Sequence, residues 1–152
     1  VNKNITVKQA IDRYIESKTA VLSPSTIYGY KKANQRYLYI LHDVKIAKLD
    51  QELIQRAINK LSYCYSPKTV RNAYGLLHAS LQMFAPDFVY RISLPQKIKS
   101  SFYVPDKNEI KVIYKLIKNT ELEIPFLLAS QCGLRPSEIC ALTKDCALPL
   151  TD

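Results

Sequence analysis

Apolar residues recur at steps of three and four through the first 84 positions, the period of helices that turn one face to a core. Val7, Ala10, Ile11, Tyr14 and Ile15 form the first stripe, with Thr6 placed to cap it and Lys18 closing it where a helix favours positive charge. Ser23-Pro24-Ser25-Thr26 opens a second helix, serine as cap and proline in the first turn. This helix is predicted to reach about Leu41, burying Ile27, Tyr30, Tyr37, Leu38 and Leu41, with Tyr28, Lys32, Gln35, Arg36 and Tyr39 on its other side. Asp50 caps a third helix whose inner face is Leu53, Ile54, Ala57, Ile58 and Leu61. Ser66-Pro67-Lys68-Thr69 then repeats the earlier start signal and opens a fourth.

That fourth helix has two stripes. Val70, Tyr74, Leu77, Leu81 and Phe84 define a core side, while Lys68, Arg71, Gly75, His78 and Gln82 step along a line roughly 120° round the axis. The second line holds no acidic residue, and Gly75 leaves room for another chain to approach. Past position 85 the helical period stops. Pro86, Pro95 and Pro105, with Arg91, Lys97 and Lys99 among them, predict an extended basic linker containing a short strand near 88–92. Asp106 and Glu109 make a capping-box start to a fifth helix lined by Ile110, Ile113, Tyr114 and Ile117. A sixth helix starts near Leu122, and its apolar run 124–130 reads as buried.

Gly133 stands where a helix ends in the left-handed conformation, and Pro136 suits the first turn of a further helix with Ile139, Ala141 and Leu142 turned inward. A short strand is predicted at 145–148. Arg135 is left at the corner between two helices, where a guanidinium joins its donors to the free N–H groups of a helix start, an arrangement suited to a phosphate. Glu138, one turn on, would hold that guanidinium in place. The same two residues also read as a surface ion pair with a capping role.

Charge divides the chain unevenly. The net charge is +9 over 152 residues; Lys and Arg number 16 against 6 acids in residues 1–100, and 6 against 7 in residues 101–152. The basic excess belongs to the first two-thirds, which favours a polyanion held by an N-terminal domain. Cys64, Cys132, Cys140 and Cys146 form no C-x-x-C pair, and three lie in apolar company; they are expected to be buried free thiols in a reducing, cytoplasmic setting, with no metal site. No apolar run approaches the ~18 residues of a membrane span and no signal peptide is visible. A start at Val1 and a stop at Asp152 read as an excised piece of a longer protein.

The string from Gln131 to Leu142 resembles the first-arginine motif of the tyrosine recombinases, the phage-integrase family: Gly133, Leu134, Arg135, Ser137, Glu138, Ile139 and Leu142 match, and Cys132 stands where threonine is often found. The resemblance implies a mainly α fold. A four-helix SAM-like core-binding domain (1–86) would be followed by the basic linker (87–105) and the helical N-terminal fragment of an integrase-type catalytic domain (106–152). It implies DNA strand cleavage by a tyrosine through a phosphotyrosyl link, with no cofactor, on double-stranded DNA of attachment-site type, and self-association on DNA in the parent protein, which would be bacterial or phage-encoded.

In that scheme Arg135, supported by Glu138, matches the first catalytic arginine. The family's lysine, His-x-x-Arg segment and tyrosine are expected beyond Asp152, so the fragment itself is expected to be inactive. Family docking by helices and flanking hydroxyls points to Lys32, Arg36, Ser66, Lys68, Thr69, Arg71 and His78 as DNA contacts. A non-catalytic helical DNA-binding regulator and a basic protein-interaction domain are the other readings the composition allows.

Overall fold

The helix starts named above set the architecture seen in a computed structural model of the chain, which describes residues 4–87, 89–97, 101–143 and 146. Seven α-helices occupy the described residues: α1 (Val7–Lys18), α2 (Pro24–Tyr37), α3 (Gln51–Cys64), α4 (Pro67–Phe84), α5 (Lys107–Ile117), α6 (Glu123–Cys132) and α7 (Pro136–Ala141). The fold is mainly helical, and the chain divides into two compact units, Val1–Lys99 and Ser100–Asp152.

In the first unit each cap does what its chemistry allows. Thr6 Oγ1 accepts the Gln9 N–H at 3.3 Å while Gln9 Oε1 accepts the Thr6 N–H at 3.1 Å, a complete capping box. Ser23 and Ser66 cap α2 and α4 identically: each serine oxygen accepts the threonine N–H three residues on and touches that threonine's hydroxyl, at 2.9 Å to Thr26 and 3.0 Å to Thr69. The repeated sequence is therefore a repeated local geometry. Asp50 Oδ1 takes the Leu53 N–H at 2.7 Å to start α3.

α1 packs against both α4 and α2, and α3 packs on α4. Their apolar stripes meet in one core that includes Val7, Ile11, Leu38, Ile54, Ile58, Val70 and Leu77. Tyr14, Tyr30, Tyr37 and Tyr74 are only partly buried at its margin, where a phenol oxygen can reach water. α2 stops at Tyr37, short of the predicted Leu41, because Leu38 leaves helical geometry (φ −98°, ψ 2°) and Tyr39–Leu41 tighten into a 3-10 turn. That turn drops Leu41 into the core and lets residues 44–46 run antiparallel to 5–7, with Val7 N–H on Val44 O at 2.9 Å and Ile46 N–H on Ile5 O at 3.0 Å.

Asn34 is buried in the last turn of α2, which its polar character did not foretell. Its amide donates to Asp12 Oδ1 at 2.8 Å, and His42 Nε2 sits 2.9 Å from its side-chain oxygen and 3.1 Å from its carbonyl. The three residues tie α1, α2 and the 3-10 turn together, and none of their buried polar atoms is left without a partner.

The predicted linker is extended but not free. Tyr90, Ile92 and Leu94 alternate inward onto the core of the first unit, the period of a strand, yet no strand among the described residues pairs with them. Side chains of α3 replace the missing partner. Gln51 Oε1 accepts the Arg91 N–H at 3.4 Å; Gln55 Oε1 accepts the Ser93 N–H at 2.8 Å and its Nε2 donates to Ser93 O at 3.0 Å. Tyr90 Oη donates to Leu49 O at 2.7 Å. Of the predicted strand near 88–92, Phe88 lies outside the described residues.

The second unit holds α5, α6 and α7. Asp106 and Glu109 form the predicted capping box, with Tyr103 Oη also donating to Glu109. Asn119 turns the chain in the left-handed region (φ 64°), and its N–H and the Tyr114 hydroxyl both donate to Glu123, at 2.7 and 2.9 Å. Gly133 (φ 69°) ends α6 in the left-handed conformation, with its own N–H on Ala129 O, the bond of an αL cap, and the Leu134 N–H on Leu128 O.

The run 124–130 is not buried as predicted: none of α5, α6 or α7 carries a buried residue, and Ile124 is 69% exposed. About fifty residues cannot enclose a core of their own, so Ile113, Phe126 and Ile139 line an open apolar groove. Leu142 and Ala141 are likewise exposed, while Ile139 is half-buried. For the same reason Cys132, Cys140 and Cys146 are exposed rather than buried; Cys64 is exposed near the end of α3, and all four thiols are free. The predicted strand at 145–148 lies, Cys146 apart, outside the described residues.

The two donors on Glu123 hold its carboxyl below the usual carboxylate range, with the Asn119 N–H the larger influence, and the same carboxylate pushes the Tyr114 phenol up through their hydrogen bond. A carboxylate depressed in the folded state contributes stability above its unfolded pKa and loses it as pH falls through the folded one. The α5–α6 turn is therefore expected to loosen on acidification below about pH 4, read as loss of exchange protection at the Asn119 amide, and to be unaffected by acid in Glu123→Gln.

Candidate nucleic-acid interface

The two stripes foreseen for α4 separate as its period requires. Val70, Leu77 and Leu81 are buried, and Lys68, Gly75, His78 and Gln82 are exposed, with Arg71 half-buried between them. Across from this face lies α2. Thr26, Gly29 and Ala33 of α2 and Arg71, Asn72 and Gly75 of α4 line an open groove of about 590 Å³ with no acidic residue in its walls.

Gly29 and Gly75 lie in helices, where alanine would be favoured, and a Cβ built on either would meet nothing within 4 Å. Neither glycine is required by packing inside this chain. Their effect is to keep the groove floor low.

The predicted contacts distribute around this groove unequally. Counted at about 100° per residue, Lys68 precedes Arg71 on the groove side of α4, while Arg36 falls beside the groove side of α2 with Lys32 next to it. Lys32, Arg36 and Lys68 are exposed. His78 stacks on Tyr74, ring centroids 5.8 Å apart at 24°, and burial pushes the Tyr74 phenol up. Ser66 is exposed but engaged as the α4 cap. Thr69 turns toward a narrow crevice with Tyr37 and Tyr65, away from the groove.

Arg71 has a partner that its place on the ridge gave no hint of: its Nε donates to the carbonyl of Pro95 at 2.9 Å. Asn72 and Gly29 also belong to the groove, and no pattern within their own helices marks them. Their signal exists only as the counterpart of the α4 ridge on α2, which needs the packing of the two helices to be known.

In the second unit Arg135 is the residue before α7, in the extended region (φ −73°, ψ 153°). Its N–H donates to Glu138 Oε2 at 2.7 Å and its Nη1 to Glu138 Oε1 at 3.1 Å. A guanidinium has no acceptor, so only the glutamate half of a capping box is made. The Arg135 side chain remains 80% exposed, braced by one carboxylate and turned to solvent.

No helix among the described residues is long and apolar enough to cross a membrane. No curated protein and no solved structure matches the chain. The profile of one family does: phage integrase, N-terminal SAM-like domain, over residues 6–62. That segment takes in α1, α2 and α3 through Ser62, and it stops before α4 and the second unit. Residues 6–62 thus match the phage integrase N-terminal SAM-like domain, a domain of the tyrosine recombinase family.

Proposed function

We propose that this chain is the DNA-binding portion of a site-specific tyrosine recombinase, and that the groove between α2 and α4 is where it holds duplex DNA. The observation that carries this is the groove itself: a floor of two glycines with no packing neighbour, walls without acid, and Arg71 in its lining, with the exposed Lys68, Arg36 and Lys32 at neighbouring positions of the same two helices. Such a groove suits a sugar-phosphate segment better than a single ion, because the cations are spread along two helices. Phosphate contacts from them would fix the register of the protein on the duplex.

Gly75→Ala tests this through opposite signs. The substitution is expected to raise stability by about 0.5–1 kcal/mol, since alanine suits a helix interior and its Cβ enters open space. Duplex binding by the same variant should weaken severalfold, measured by fluorescence anisotropy. Binding unchanged or tightened would remove the groove from the interface. Polyglutamate as a competitor separates the alternative of an acidic protein partner, for which it should match duplex DNA.

In this reading Arg135 is the first catalytic arginine, set to meet charge on a non-bridging phosphate oxygen as the tyrosine attacks, with Glu138 fixing its direction. In the complete recombinase Arg135→Lys is expected to slow strand cleavage on the order of 100-fold, because lysine retains the charge and loses the planar fork. Near-normal cleavage of a nicked duplex by that variant would make Arg135 structural. The 152-residue chain alone is expected to form no covalent adduct with such a duplex.

A further inference from the structure

Gln55 stands on α3, bears no charge and does not line the groove, yet it is linked to the groove wall by hydrogen bonds at both ends of the short backbone stretch 93–95. Its amide grips both backbone groups of Ser93, the N–H at 2.8 Å and the carbonyl at 3.0 Å. A second bond, Gln55 Nε2 to Asn59 Oδ1 at 2.9 Å, fixes the amide's orientation on its own helix. Two residues further along the same extended segment, the Pro95 carbonyl accepts Arg71 Nε at 2.9 Å.

A guanidinium presents donors on two edges. Engaging Nε with a carbonyl removes one edge and stops rotation about the terminal bonds, leaving the Nη pair as a fork of fixed direction. A half-buried arginine held in this way gives up less side-chain freedom when it grips a phosphate than a free one would.

We infer that Gln55 is a positioning residue for DNA binding: it clamps segment 89–97 so that the Pro95 carbonyl aims Arg71 into the α2–α4 groove. The inference rests on the reading of that groove as the DNA-binding surface. Arg71 makes the contact, and Gln55 acts only through the segment it holds.

The test is a double-mutant cycle on the full chain with a labelled duplex DNA, using Gln55→Met, which keeps the bulk of the side chain and loses both bonds to Ser93. Gln55→Met is expected to weaken binding about three- to tenfold at fixed salt, and to have no further effect once Arg71 is alanine. Ser93→Pro, which deletes the N–H from the segment side and leaves α3 untouched, should reproduce the loss and its disappearance. In the free protein the Arg71 Nε–H resonance should lose its exchange protection in both variants.

Equal losses with and without Arg71 would overturn the inference, since Gln55 would then act on the fold in general. So would an unaltered affinity of Gln55→Met beside a weakened Arg71→Ala. If Arg71→Ala itself binds normally, the groove reading falls and the inference with it, an outcome the cycle distinguishes from the other two.

Discussion

Replacing Lys68 and Arg71 together by alanine is expected to flatten the salt dependence of duplex binding by about 1.8 in log–log slope, at about 0.9 for each phosphate no longer neutralised. The two residues follow one another on the groove side of α4, where no acid offsets them. At low salt, where counterion release contributes most, affinity should fall tens-fold, and the deficit should shrink as salt rises toward physiological strength. Circular dichroism of the variant should be unchanged, because neither side chain belongs to the core. An unaltered slope would show that the ridge faces solvent in the complex.

Leu77→Ala should have the opposite profile. Leu77 is fully buried on the core face of α4, the helix that packs on α1, α2 and α3. Removing most of its side chain is expected to cost about 2–5 kcal/mol, through forfeited transfer energy and the cavity left behind. Against the about 5–15 kcal/mol that holds a domain of this size, such a loss brings the first unit close to half-unfolded at elevated temperature. Urea titration followed by circular dichroism in the helical band reads the shift. Under conditions where the variant is still folded, its salt slope on DNA should equal that of the unmodified chain, because Leu77 touches no phosphate.

The capping residues make most of the fold legible. Thr6, Ser23, Asp50, Ser66, Asp106 and Pro136 each mark a helix start that depends only on chemistry within three or four residues, and Gly133 marks a stop for the same reason. The core face of α4 follows from period alone. What depends on distant partners is not legible. Segment 89–97 shows prolines and positive charge, but its docking rests on Gln51 and Gln55, about forty residues earlier, and nothing in a glutamine announces which backbone it will pair with.

Burial is overestimated where the chain offers too little to bury against. An apolar run such as 124–130 reads as interior in any sequence; in a unit of about fifty residues it lines an open groove instead, and the cysteines beside it are exposed. The candidate site divides the same way. Lys68, Arg71 and His78 lie on one face as the spacing requires, whereas the pairing of Gly75 with Gly29 and of Arg71 with Pro95 emerges only once α2, α4 and segment 89–97 are packed.

The central claim is that duplex DNA seats in the groove between α2 and α4. Titrating the isotopically labelled chain with a short duplex and following backbone amide shifts tests it most directly. The largest changes are expected at Thr26, Gly29, Arg71, Asn72 and Gly75. Shifts confined to α1 and α3, or spread evenly over every exposed lysine of the first unit, would contradict it.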